Sequence, residues 1–174
     1  MKVLITGRPG SGKTTVIRKV TARLGKKAHG FYTGEVRDES SGRRRGFSVT
    51  TTEGESGVFA DVSFDTPLRV SSYKVDVERF EAVALPAVEK ALKEKGVVVI
   101  DEIGKMELFS ERFAAMVEKI IGDPGVTLLA TVPLKDVHPV VKAIKAADDA
   151  VLVHVTEANR DDAPGEVLAL LGQA

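Results

Sequence analysis

A glycine-rich loop near the N-terminus has the residue types and the spacing of a phosphate-binding site. Residues 7–14 read GRPGSGKT and match G-x-x-x-x-G-K-[ST], with an apolar run before them and a helical pattern after them. Glycines allow successive backbone N–H groups to point into one anion-sized hollow. Lys13 is expected to reach the β- and γ-phosphates of a nucleotide, and the Thr14 hydroxyl to ligate a bridging Mg²⁺. The predicted nucleotide-binding residues are Gly7, Arg8, Pro9, Gly10, Ser11, Gly12, Lys13, Thr14 and Thr15.

An acidic pair follows an apolar run in the middle of the chain. Residues 97–100 are all β-branched, which predicts a strand buried on both faces, and Asp101 and Glu102 come directly after it. Ligands of open α/β sheets bind at the carboxyl ends of strands, so Asp101 is expected to hold Mg²⁺ directly or through water. Glu102 is expected to orient a water molecule and accept its proton. Beside a phosphate loop, this pair favours hydrolysis.

Three further polar residues are candidates for the same site. Lys105 could stabilise phosphate charge, and Glu107 could pair with Lys105 or adjust the water. The residues leave open whether Glu102 or Glu107 activates the water, and whether Lys105 and Glu107 form only a surface ion pair. Thr131, at the end of the next predicted strand, could contact the γ-phosphate or the water.

Alternating strands and helices are predicted to position these residues. Strands are predicted at 3–6, 97–100, 126–131 and 150–155, and helices at 13–24, 76–94, from 110 onward, 137–146 and 163–171. Pro86 predicts either a kink in the second helix or two shorter helices. The alternation predicts an α/β fold with a mostly parallel sheet and helices on both faces.

Residues 30–75 have a different pattern. Three β-prone runs, at 30–37, 45–52 and 57–62, are separated by turn residues, which is typical of antiparallel hairpins. We expect this segment to extend the parallel sheet. The 174 residues fit one domain, 1–174, with the hairpin extension at about 30–75.

The composition argues against several classes of partner. The 25 basic and 25 acidic residues cancel, and aromatic residues make up only 5% of the chain, so nucleic-acid binding is not expected. A basic set on the first helix is interpreted as a solvated face; it comprises Arg18, Lys19, Arg23, Lys26 and Lys27. No segment has the apolar length of a membrane span, and cysteine is absent. The three histidines lack metal-ligand spacing. We expect a cytoplasmic monomer.

Four segments carry a family resemblance. They are TGRPGSGKTT at 6–15, GFYTGEVR at 30–37, RRGF at 44–47 and DEIGKMEL at 101–108. Together they resemble the THEP-type nucleoside-triphosphatase family, found in thermophiles and with a cancer-related human relative. The resemblance covers nearly the whole chain. It implies a RecA-like P-loop NTPase fold and Mg²⁺-dependent hydrolysis of ATP, GTP and other nucleoside triphosphates to the diphosphate and phosphate. It also implies slow turnover and broad base specificity.

The resemblance suggests roles for residues outside the first two motifs. Asn159 falls in a segment expected near the base or its ribose, although it could be only a helix cap. Arg44, or alternatively Arg37, is expected to balance transition-state charge or to close over the phosphates. The alternative is that both arginines solvate an exposed ribbon.

Two other functions compete with hydrolysis. A small-molecule or nucleotide kinase would use the same loop with an acceptor hydroxyl in place of water, but residues 132–154 contain no arginine for a nucleotide-kinase lid. A nucleotide-gated binding module would use slow hydrolysis to reset a conformation. Phosphate release without an acceptor would favour the hydrolase.

Overall fold

The computed structural model describes residues 1–172, and nine strands within that range form one sheet. In chain order they are β1 (Lys2–Thr6), β2 (Ala28–Arg37), β3 (Arg44–Thr51), β4 (Ser56–Asp61), β5 (Arg69–Val70), β6 (Tyr73–Val75), β7 (Val97–Asp101), β8 (Thr127–Thr131) and β9 (Ala150–His154). Their order across the sheet is β5-β6-β4-β3-β2-β7-β8-β1-β9.

Five α-helices connect these strands in the described residues. They are α1 (Lys13–Leu24), α2 (Val77–Glu94), α3 (Glu111–Gly122), α4 (Pro139–Lys145) and α5 (Ala163–Leu170). The side chains of Asp76 and Ser110 cap α2 and α3, as their positions predict. Pro86 lies inside the single helix α2, so the two-helix alternative is wrong. No helix in residues 1–172 combines the length and the apolar character needed to cross a membrane.

The strand β2 joins a parallel and an antiparallel half of the sheet. Its first residues pair in parallel with β7, and Tyr32 is the partner of Asp101. Its later residues pair only with β3, antiparallel, so residues 33–37 extend past the carboxyl end of β7. The predicted hairpins are therefore present. The short strands β5 and β6 enlarge the antiparallel half beyond what the sequence pattern predicted.

The two faces of the sheet bury separate apolar clusters. The helices α2, α3 and α4 cover one face, where Phe31, Phe80 and Phe113 meet edge to face with ring centroids 5.3 to 5.7 Å apart. The helices α1 and α5 cover the other face. In β7, Ile100 points into the first cluster and Val99 into the second. A strand buried on both faces needs apolar residues at every position, which explains the continuous apolar run of β7.

Gly30 is required by the close approach of β2 to β7. Its φ is 149°, and a Cβ atom there would lie 1.8 Å from the carbonyl oxygen of Val99. We expect Gly30→Ala to lower the free energy of unfolding by about 3 kcal/mol or more, because the chain must shift to relieve the overlap. Urea denaturation measures this change.

Gly122→Ala is the matched control. Gly122 ends α3, and a Cβ atom there would have nothing within 4 Å. This variant should be unchanged or up to about 1 kcal/mol more stable. Equal urea midpoints for the two variants would contradict the packing described for β2.

Candidate active site

The phosphate loop, residues 7–14, lies between β1 and α1. Gly12 caps the N-terminus of α1 in the left-handed conformation, with φ 105°. A Cβ atom on Gly7 would lie 2.4 Å from the carbonyl oxygen of Val155, so the loop begins in direct contact with the segment after β9. The Ser11 hydroxyl is buried and has no hydrogen-bond partner in the described residues. The loop thus places the Ser11 hydroxyl, without a hydrogen-bond partner in the described residues, next to the positive end of the helix α1.

Lys13 and Thr14 lie where the loop enters α1. The Lys13 ammonium group donates to the carbonyl oxygens of Gly7 and Arg8, at 2.9 and 3.0 Å, so its charge lies at the mouth of the loop. The Thr14 side chain is exposed, yet it is near enough to Asp101 to lower the pKa of that carboxyl group. The loop and the end of β7 therefore face one another.

Asp101 ends β7 and is only 3% exposed. Its Oδ1 atom accepts a hydrogen bond of 2.6 Å from the Thr131 hydroxyl at the end of β8. Its Oδ2 atom is buried and has no hydrogen-bond partner within residues 1–172. Burial raises the pKa of Asp101, while Thr131, Thr14 and the charges of Arg18 and Lys13 lower it. An unpartnered carboxylate oxygen beside a threonine hydroxyl fits the oxygen ligands that Mg²⁺ prefers.

The Thr131 hydroxyl therefore forms its hydrogen bond with the Asp101 carboxylate. The sequence suggested that its hydroxyl contacts the γ-phosphate or the water, but its 2.6 Å hydrogen bond fixes the orientation of the Asp101 carboxylate. Such supporting contacts set the geometry of a metal ligand.

Glu102 and Glu107 face each other across Gly104. A Cβ atom on Gly104 would lie 2.7 Å from Oε1 of Glu102 and 2.8 Å from Oε2 of Glu107, so both carboxyl groups crowd this one glycine. Burial and the neighbouring charge of Asp101 raise the pKa of Glu102, and Lys13 opposes that rise. Burial, followed by the charge of Glu102, raises the pKa of Glu107 to about 8. At neutral pH the deeper Glu107 therefore keeps its proton.

Lys105 does not pair with Glu107. Lys105 is exposed, whereas Glu107 is buried beside Gly104, and no ion pair joins them in the described part of the chain. Of the alternatives left open for Glu107, the ion pair with Lys105 is absent from the described residues, because the short 3₁₀ helix at Glu107–Phe109 turns the glutamate inward. Lys105 remains close in sequence to the acidic pair, with its ammonium group in solvent.

The arginines of the hairpin lie on the part of β2 and β3 that extends past β7. Arg44 donates to Tyr73 at 2.9 Å and to Glu35 at 2.8 Å, and Arg37 donates to Glu35 at 2.6 Å. The hydrogen bond from Arg44 holds the pKa of Glu35 below its ordinary value. In this conformation neither arginine contacts the phosphate loop in the described residues. A transition-state role for Arg44 or Arg37 stays a prediction.

Asn159 lies in the segment that follows β9. Its Oδ1 atom accepts from the backbone N–H of Thr156, and its Nδ2 atom donates to the carbonyl oxygen of His154, both at 2.8 Å. A pocket of about 700 Å³ opens beside the phosphate loop; it is lined by Arg8, Pro9, Gly10, Ser11, Leu134, His154, Val155, Thr156 and Glu157. We call it the His154 pocket. Through these hydrogen bonds Asn159 contacts Thr156 and His154, which line the pocket, but Asn159 is not itself one of the lining residues.

The basic face of α1 contains one residue whose position the sequence interpretation missed. Arg18 lies with its guanidinium carbon 4.7 Å from the centroid of the Tyr32 ring and acts electrostatically on Asp101. Its spacing of four residues from Thr14 places both on one helix face, which was the available signal. The cis peptide bond between Asp101 and Glu102 could not be predicted from any sequence pattern.

Two of the three histidines, His29 and His138, make structural contacts. His138 caps α4, and His29 lies 2.8 Å from Glu94. Within residues 1–172, no cluster of three or more histidine and acidic side chains is suited to a metal ion. A Mg²⁺ ion at Asp101 would therefore need ligands from a bound phosphate as well as from the protein.

The fold and site define the class of the protein. A glycine-rich phosphate loop between a strand and a helix, faced by a buried aspartate at the end of a parallel strand, is the arrangement of a P-loop nucleotide-binding protein. A family model described as NTPase matches residues 2–168, and the chain belongs to this NTPase family.

Relatives of known description agree with that assignment. The nucleoside-triphosphatase THEP1 of Aquifex aeolicus is 47% identical over 98% of this chain and 99% of its own. The cancer-related nucleoside-triphosphatase of Homo sapiens is 41% identical over 91% of this chain and 90% of its own. The crystal structure of THEP1 from the hyperthermophile Aquifex aeolicus matches with a TM-score of 0.92 at 46% identity, over 98% of this chain and 99% of that one. The predicted family and fold class are confirmed.

The burial of Glu107 should be measurable as a pH dependence of stability. Its pKa is about 8 in the folded chain and near the ordinary 4.5 when the chain unfolds. The folded state therefore binds more protons between these values, so the free energy of unfolding should fall as pH rises from about 5 to 8. The slope due to Glu107 should approach about 1.4 kcal/mol per pH unit. Denaturant titration at several pH values measures it.

Glu107→Gln should remove most of this slope, because the amide cannot titrate. Glu118→Gln, on the exposed face of α3, is the matched control and should leave the slope unchanged. If Glu107→Gln kept the pH dependence of the parent chain, another group would be responsible for it.

Proposed function

We propose that the chain is a Mg²⁺-dependent nucleoside-triphosphate phosphohydrolase. It cleaves the γ-phosphate of ATP, GTP and other nucleoside triphosphates to give the diphosphate and phosphate, slowly and with broad base specificity. The observation that carries this proposal is the pair of facing carboxyl groups, Glu102 and Glu107, directly after a buried aspartate that faces the phosphate loop. Binding of phosphates alone would not require such a pair.

The loop supplies the binding part of the mechanism. Backbone N–H groups of residues 7–14 and the N-terminus of α1 form a positive surface for the phosphates. The Lys13 ammonium group, held by two loop carbonyl oxygens, can move to the β- and γ-phosphate oxygens without leaving the loop mouth. These contacts fix the γ-phosphorus toward the end of β7.

Thr14 and Asp101 are the residues that would hold Mg²⁺. The support for this assignment is the unpartnered Oδ2 atom of Asp101, the adjacent Thr14 hydroxyl and the orienting bond from Thr131. When bound, the ion neutralises charge on the phosphate oxygens. Asp101 must be ionised in this role, and the charges of Arg18 and Lys13 favour that form.

Glu102 is the proposed general base. It is the less buried member of the facing pair, and Lys13 favours its charged form. Water attacks the γ-phosphorus and gives one proton to the Glu102 carboxylate; the bond from the γ-phosphorus to the β–γ bridging oxygen breaks, and the diphosphate leaves. Glu107, which keeps its own proton, lies opposite Glu102 across Gly104 and adds no negative charge beside it at neutral pH.

Arg44 is the proposed source of the positive charge that stabilises the negatively charged transition state, and Arg37 is the alternative. Lys105 is an exposed cation close in sequence to the acidic pair. Arg44 would have to leave Glu35 and Tyr73, and this requirement accords with slow turnover. Measurement of kcat for Arg44→Ala decides the point, since a loss below about threefold removes Arg44 from the mechanism.

Glu102→Gln tests the assigned base. The variant should bind nucleotide within about threefold of the parent chain and lose at least about 100-fold in kcat, because the amide cannot accept the proton. Phosphate release from ATP and from GTP, with Mg²⁺ and no added acceptor, measures the rate. Glu118→Gln should retain full activity.

Two outcomes would contradict the assignment. Near-normal turnover in Glu102→Gln, with a large loss in Glu107→Gln, would transfer the role to Glu107. A strict need for an added nucleoside or other acceptor would make the protein a kinase.

A further inference from the structure

We propose that Tyr32 is a positioning residue for the metal-binding carboxylate: its ring holds the Arg18 guanidinium beside Asp101 and keeps it off the free Oδ2 atom. This inference rests on the proposed function, since it concerns the carboxylate assigned there to Mg²⁺. It goes further by giving a role to an aromatic side chain outside the phosphate loop and the acidic pair.

Tyr32 lies directly beside Asp101 on the same face of the sheet. The two residues are partners in the parallel pairing of β2 with β7, so their backbones are about 4.8 Å apart. Val99 belongs to the apolar cluster under α1 and α5, and side chains alternate along a strand, so Asp101 also points to this face. The Tyr32 ring packs against the same cluster. Asp101 therefore has Thr131 of β8 on one side and Tyr32 of β2 on the other.

The helix α1 places Arg18 over the Tyr32 ring. The guanidinium carbon lies 4.7 Å from the ring centroid, where the face of the ring attracts a cation. Arg18 follows Thr14 by one helical turn, so both side chains lie on one helix face. Burial is the largest influence on the pKa of Asp101 and raises it, while Thr14 and the charge of Arg18 both lower it. Arg18 is thus near enough to Asp101 to reach it if the ring were removed.

The ring is what fixes the Arg18 guanidinium. Among residues 1–172, Arg18 forms no hydrogen bond or ion pair, and its guanidinium contacts the Tyr32 ring. A cavity of about 410 Å³ adjoins both side chains, so packing leaves the guanidinium room to move. An arginine beside a carboxylate ordinarily forms paired hydrogen bonds with it. The Oδ2 atom of Asp101 nevertheless has no partner in the described residues.

This arrangement separates two effects of one cation. A guanidinium bonded to Oδ2 would occupy the oxygen assigned to Mg²⁺, and the ion would have to displace it. An aromatic ring has no net charge, so it holds Arg18 without neutralising it. Arg18 can therefore favour the ionised form of Asp101 while Oδ2 stays open to a metal ion.

The metal-dependent part of ADP binding tests this role. Titration calorimetry measures the Kd of ADP in Mn²⁺ and in EDTA, and the ratio of the two values is the gain due to the metal. We expect Tyr32→Leu to reduce this gain at least about fivefold and to change binding in EDTA by less than about twofold, because the freed Arg18 bonds to Oδ2. Tyr32→Phe, which keeps the ring face, should retain the gain within about twofold.

Phe64→Leu is the matched control. The guanidinium carbon of Arg79 lies 4.9 Å from the centroid of the Phe64 ring, so this variant also removes a ring from beside an arginine. Both residues lie outside the phosphate loop and the acidic pair, in the antiparallel half of the sheet and in α2. The gain due to the metal should be unchanged.

Arg18→Gln identifies the cause of the loss. In this background Tyr32→Leu should change the gain by less than about twofold, because no guanidinium is left to occupy Oδ2. Equal losses in both backgrounds would overturn the proposal and show that the ring acts by packing alone. A loss in Tyr32→Phe as large as that in Tyr32→Leu, or a parent chain without any gain from Mn²⁺, would also overturn it.

These measurements are separate from the test of hydrolysis, because ADP binding involves no turnover. A chain that shows the expected gain and its dependence on Arg18, yet releases no phosphate from ATP, would contradict only the proposed function.

Discussion

The candidate active site depends on the burial of three carboxyl groups beside one phosphate loop. Asp101, Glu102 and Glu107 each lose hydration at the end of β7, and burial is the largest cause of the raised pKa of all three. The cost of burial is offset differently for each carboxyl group. Hydroxyl groups and nearby cations favour the charged form of Asp101, and partial exposure and the charge of Lys13 favour that of Glu102. Glu107 instead keeps its proton. A carboxylate whose charge is only partly compensated is suited to act as a ligand or a base, and this supports the roles proposed for the end of β7.

Two neighbouring strands, β8 and β2, bring residues to the carboxyl end of β7 from opposite sides. On one side β8 brings Thr131 onto Asp101. On the other side β2 pairs with β7 through Tyr32 and then continues past it as one arm of a hairpin. The antiparallel half of the sheet is thereby attached directly to the strand that carries Asp101. This connection explains how Arg37 and Arg44, remote in sequence from the loop, come to lie beyond the same edge of the sheet.

Sequence patterns predicted the elements that depend on interactions between residues close together in the chain. The boundaries of α1 and α2 follow from capping residues and apolar spacing, and the continuous apolar run of β7 follows from burial on both faces. The phosphate loop and the acidic pair were predictable because each requires particular residue types at fixed spacing. The hairpin segment was predictable from its β-prone runs and turn residues, and the family resemblance added candidate roles for Arg44, Arg37 and Asn159.

Contacts between distant segments were not predictable in this way. The contact of Thr131 with Asp101 depends on the order of strands, and the position of Glu107 opposite Glu102 depends on a 3₁₀ helix that carries no strong pattern. The short strands β5 and β6 have too few residues to show a period of two. The role of Asn159 depends on the fold of one loop, which its residue type alone left undetermined.

Isotope labelling tests the central claim, that water activated at this carboxyl cluster attacks the γ-phosphorus. ATP and Mg²⁺ are incubated with the protein in ¹⁸O-labelled water, and the products are separated and analysed by mass spectrometry. The account predicts that the label enters inorganic phosphate and that ADP remains unlabelled. Label in ADP, or no phosphate release unless another hydroxyl compound is added, would contradict it.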